Sequence, residues 1–129
     1  MPKDNFFLRQ GVTLLELVVV IAIIAIVASI ALPQFLRFKE RALEKEAWTN
    51  LKLIQAAAWL YRIEYETYAN LGDTSIVNRD LKLDLPLTSK LNYAITDASF
   101  ENFWAWAKPK QGGGPGWKIN AIMAYPQKE

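Results

Sequence analysis

One block of this chain leaves little choice of environment. From Leu17 to Leu32 the only polar residue is Ser29, and no residue is charged. With Leu14 and Leu15 added, the apolar stretch approaches the ~20 residues that an α-helix needs to cross ~30 Å of hydrocarbon. The exception is Glu16, near the front edge. A carboxylate at a bilayer centre costs roughly 2.5–3.5 kcal/mol or more, so an acid in such a segment usually marks a function.

The rest of the chain, from Pro33 to Glu129, is polar and charged enough for a soluble domain. A domain of that size buries only a modest core, so it is expected to lean on the helix that leads into it. Residues 34–72 are rich in Ala, Leu, Glu, Lys and Arg and lack internal Pro, with Gly72 as the natural stop. The stripe Leu43, Ala47, Leu51, Ile54, Ala58, Tyr61, Tyr65, Tyr68 steps by three and four, which predicts a helix with one buried face. A helix running from Val12 to Asn70 through Pro33 is expected, because proline inside a helix kinks it more often than it ends it. Residues 73–91 carry turn formers and Pro86 and read as an irregular loop. Three strand-like runs follow at 92–99, 102–108 and 117–125, the last two joined by the Gly- and Pro-rich KPKQGGGPG. The fold class expected is α+β, with a three-stranded antiparallel sheet packed across the helix stripe.

The side-chain inventory argues against catalysis. There is no His and no Cys, which removes the commonest general base, the commonest metal ligand and every thiolate. No cofactor or metal site is expected, since Asp73, Asp80 and Asp84 are spaced too loosely for a calcium loop. A net charge of +2 with mixed signs leaves no nucleic-acid footprint. Trp104 and Trp106, and the column Tyr61, Tyr65 and Tyr68, are expected to fill the helix–sheet core. The like-charge pairs Glu40–Glu44 and Arg41–Lys45 gain nothing within one helix and would suit opposite charges on a neighbouring subunit.

The segment Gly11-Val12-Thr13-Leu14-Leu15-Glu16, entered from a short leader with Lys3 and Arg9, resembles the prepilin signature of the type IV pilin and pseudopilin family. In that family a membrane-embedded prepilin peptidase cuts after the Gly and N-methylates the new first residue. A Glu stands fifth after the cut and often a Pro twenty-second; counted from Val12, Glu16 and Pro33 hold those places. Two positions depart from the common pattern: the first residue is Val12 rather than Phe, and Ala25 stands where many members have Gly. The resemblance implies removal of residues 1–11, methylation of Val12, and a filament-core helix over 12–33 with a kink at Pro33. It implies an amphipathic helix over 34–72 and a globular head over 73–129. It also implies pairing of Glu16 with the N-terminal ammonium of a neighbouring copy, an ion pair that a buried carboxylate needs. The partners implied are further copies of the chain in a helical filament, the peptidase and the inner-membrane assembly machinery. The location implied is the bacterial inner membrane, then an extracellular pilus.

Three other readings stand beside it. One is a pseudopilin of a type II secretion system, although major pseudopilins usually bind calcium near the C-terminal strands, and 102–128 contain no Asp or Glu. Another is an ordinary secretory signal, with Ser29-Ile30-Ala31 as a small-x-small site. The last is a binding module on a plain anchor.

Overall fold

The computed structural model describes residues 11–129; the leader expected at 1–11 lies, apart from Gly11, outside them. The chain divides into two units, Met1–Lys39 and Glu40–Glu129. Helix α1, Leu14–Tyr65, contributes to both and runs through Pro33 without ending. Among the described residues nothing covers its apolar side chains in the first unit, from Leu17 at 58% exposed to Leu32 at 62%. This stretch is long and apolar enough to cross a membrane.

In the second unit α1 buries Ala47, Leu51, Ile54 and Ala58, at which the expected stripe is centred, and also the polar Gln55, which the stripe did not include. Leu43 and Tyr61 pack at its margin, whereas Tyr65 is exposed. The helix ends sooner than Gly72 predicts. Glu66 takes a left-handed backbone, φ 60°, and the chain then turns so that Tyr68 enters the core. Leu71 and Ile95 exchange two backbone hydrogen bonds, at 2.9 and 2.8 Å. Pairing with a strand edge satisfies these amides better than another helical turn would, so 66–72 are not helix.

The segment 73–91 is a second correction, since it contains helix α2, Thr74–Leu81. Asp73 is its N-cap, and Oδ1 accepts from the backbone amides of Ser75 (2.8 Å) and Ile76 (3.0 Å). Buried Val77 and Leu81, four residues apart, face the core. The buried Thr74 hydroxyl donates to Asn92 Oδ1 at 2.8 Å and accepts from Tyr93 N at 2.9 Å, which ties α2 to the first strand. Ser75 and the helix amides hold the Asp73 carboxyl below its ordinary range. A depressed pKa means the cap contributes above the ordinary carboxylate pKa and is lost as pH falls through the lowered one. Asp73→Ala is therefore expected to lower the thermal midpoint by a few degrees at neutral pH, with the two melting curves converging in acid.

The sheet has four strands rather than three, in the antiparallel order β1-β2-β3-β4. They are β1 Leu91–Thr96, β2 Trp104–Pro109, β3 Trp117–Asn120 and β4 Gln127–Lys128. The expected run at 117–125 stops at Asn120 because side chains of α1 take the next carbonyls. Gln55 Nε2 donates to Asn120 O (2.6 Å) and Met123 O (3.0 Å), and Trp59 Nε1 donates to Ala121 O (3.1 Å). Once those groups serve the helix, the chain bends and returns as the short β4.

The inner face of the sheet carries Leu91, Tyr93, Ile95, Ala105, Ala107, Trp117 and Ile119, with Phe103 just ahead of β2; all are buried. Trp104 and Trp106 lie on the opposite face, half-buried, so the expectation that they fill the core is wrong. Small Ala105 and Ala107 face inward instead, which leaves room for α1 and for the larger Phe103, Tyr93 and Trp117. Burial pushes the Tyr93 phenol up to about 12, offset in part by the hydrogen bond from Asn50 Nδ2 at 2.8 Å. A raised pKa contributes fully below pH 10 and is lost as pH rises toward 12. An alkaline titration followed by circular dichroism should show stability falling between pH 10 and 12, and Tyr93→Phe should flatten that limb.

Candidate functional site at the start of the first helix

The start of α1 brings together the residues that the sequence singles out. Val12 and Thr13 precede the helix, Thr13 is its N-cap, and Leu17 N donates the first helical bond to Thr13 O at 3.1 Å. Thr13 and Glu16 form a capping box. Glu16 Oε2 accepts from Thr13 N (3.0 Å) and Thr13 Oγ1 (3.1 Å), and Glu16 N donates to Thr13 Oγ1 (3.2 Å). These bonds satisfy two amides that a helix start would otherwise leave unpaired, and the carboxylate also lies at the positive end of the helix dipole.

Glu16 bonds Thr13 in this chain, where the nitrogen of Val12 is a peptide amide and carries no charge. The signal was present as Thr13-x-x-Glu16, the spacing of a capping box.

Among the described residues, a Cβ added at Gly11 would meet nothing within 4 Å. Val12 is 75% exposed. Pro33 lies inside α1, 17 residues after Glu16.

A family model described as the prokaryotic N-terminal methylation motif matches residues 7–32. That match covers Gly11, Val12, Thr13 and Glu16 together with the apolar stretch. A curated relative, the type IV major pilin protein PilA of Myxococcus xanthus (strain DK1622), is 41% identical over 64 residues. Over these residues the chain is similar to type IV pilins. The aligned part is 50% of this chain and 29% of the Myxococcus pilin, so the chain spans less than a third of that relative's length. The α+β architecture expected from the resemblance, a long N-terminal helix followed by an antiparallel sheet, is the one observed.

Proposed function

We propose that this chain is made as a membrane-anchored prepilin, cut between Gly11 and Val12, methylated at Val12, and polymerised into a type IV pilus-like filament. The observation that carries the reading is the uncovered apolar helix surface of the first unit, broken by a single carboxylate held at its start. Apolar area of that extent is stable only in lipid or against other helices. The precursor then spans the bacterial inner membrane, and assembly machinery passes it into an extracellular filament.

Cleavage would convert the Val12 amide into an ammonium, four residues from a carboxylate bonded to the adjacent Thr13 through one oxygen, Oε2. On joining a filament, Glu16 pairs with the Val12 ammonium of a neighbouring copy, which compensates a charge that is costly to bury alone. The open surroundings of Gly11 support a recognition role, since among the described residues nothing lies close enough to demand the lack of a side chain. Intact mass and N-terminal sequencing of the mature protein test the reading. A chain that starts at Val12 and is heavier by one methyl group is expected. A start at residue 32 would establish a secretory signal instead, and a start at Met1 a plain anchor.

A further inference from the structure

Where α1 enters the second unit, four charged side chains have no role in the fold. Glu40, Arg41 and Lys45 are exposed and Glu44 is half-buried. Among the described residues the ion pairs are Arg79–Asp80 and Lys108–Glu129, so none of the four is paired. Nearby charges differ in this respect. Glu46 Oε1 accepts from Ser89 Oγ, and Lys52 Nζ donates to Gln55 Oε1 at 3.3 Å. Like charges follow each other four residues apart: Glu40 and Glu44 form one short stripe, Arg41 and Lys45 another. At about 3.6 residues per turn the two stripes lie about 100° apart around the helix. Arg41 can reach Glu44 three residues on, whereas Lys45 has no acid three or four residues away in either direction.

We infer that the acidic stripe of one copy of this chain docks on the basic stripe of a second, parallel copy and so sets the register between neighbouring subunits. The inference rests on the filament reading above. A second copy carries the complement of each stripe on the same length of helix and with the same four-residue repeat. Because both stripes repeat every four residues, a shift of one helical turn between parallel copies still sets Glu44 against Arg41, or Glu40 against Lys45. The Glu16–Val12 pair of the proposed filament spans four residues as well. Since the stripes occupy different faces, the contact is heterologous: each copy keeps one stripe free for a further copy, which is the symmetry of an open filament.

Other occupants suit these residues less well. Anionic lipid headgroups attract basic side chains close to a membrane, but here Glu40 and Glu44 lie beside Arg41 and Lys45 and repel them, whereas a second copy compensates both signs. The sheet of the same chain buries Ala47 and packs Leu43 at its margin, yet gives Glu44, between those two, no ion pair. A single exposed pair contributes little. Between packed helices the dielectric is lower and each charge counts for more, and its main effect is to reject wrong registers, in which like charges meet.

Charge reversal and its rescue test the contact in the full chain, read as sheared-filament yield against total membrane-bound protein. One variant combines Arg41→Glu with Lys45→Glu and so carries two acidic stripes. A second combines Glu40→Lys with Glu44→Lys and carries two basic ones. Each alone should lower filament yield by about tenfold or more, since like charges then face each other at every interface. Both should keep the thermal midpoint of the parent chain in detergent, because none of the four residues is paired within the fold. Co-expression of the two variants should restore filaments that contain both, and a chain with all four reversals should assemble again by itself. Parent filaments together with full yield from either variant alone overturn the inference and leave the filament reading standing. Loss of yield from the basic-stripe variant only, with the acidic-stripe variant assembling normally, overturns it in favour of an anionic partner such as lipid. Failure of the co-expressed pair to form mixed filaments overturns it too, and a parent chain that forms no filament overturns both readings.

Discussion

Glu16→Ala is expected to leave the chain expressed, inserted in the membrane and processed at Gly11, yet absent from filaments. The variant removes two things at once, the charge and half of the capping box with Thr13. Loss of the cap costs on the order of 1 kcal/mol at one helix end, too little to unfold a helix of 52 residues. In the proposed filament, loss of the charge would leave a neighbouring Val12 ammonium without its partner in a low-dielectric core, and breaking a buried ion pair costs roughly 3–5 kcal/mol. Repeated at every subunit, that penalty stops growth.

Glu16→Gln separates the two roles. Glutamine can complete the capping box as glutamate does but carries no charge, so it should fail in assembly nearly as completely as alanine. Sheared-filament yield against total membrane-bound protein measures both variants. Normal filaments from Glu16→Gln would show that the cap, and not the charge, is what assembly requires.

The largest effect on stability is expected from Phe103→Ala in the second unit. Phe103 is fully buried, and its ring centroid lies 4.6 Å from that of Tyr68. Truncating a buried phenylalanine costs about 3–5 kcal/mol through lost transfer energy and the cavity left behind. A domain of this size holds only ~5–15 kcal/mol in total. The thermal midpoint of the full chain should fall by well over about 10 °C. Trp104→Ala, one residue later and on the outer face, should cost much less despite removing a larger ring. A greater loss from Trp104→Ala than from Phe103→Ala would reverse the assignment of the two faces.

That pair of neighbours also shows where sequence reasoning stopped. The alternation Phe103, Ala105, Ala107 against Trp104, Trp106 was legible, and so was the fact that the two sets lie on opposite faces. Which set faces the helix was not. Size favoured the tryptophans, but α1 approaches over the two alanines, and the volume needed is supplied by Phe103, Tyr93 and Trp117 from other positions. Helix α2 was missed for a related reason. An eight-residue helix has too few turns to show a period, and its signals were one capping Asp73 and the pair Val77 and Leu81. The fourth strand left no sequence signal, since β3 and β4 are separated by a bend that exists only because Gln55 and Trp59 bond carbonyls there.

At the N-terminal end the balance is different. Gly11, Val12, Glu16 and the uncharged run to Leu32 lie in the stretch that the methylation-motif model matches, and they were readable as residue types at fixed distances along the chain. The α+β order and the helix stripe through Ala47, Leu51, Ile54 and Ala58 were readable for the same reason, being periodic in the chain itself. Tertiary structure alone decided the early end of α1 at Tyr65, the inward face of β2 and the bend after β3. Each of those depends on a contact between residues distant in the chain, where a hydrogen bond or an available volume outweighs local preference.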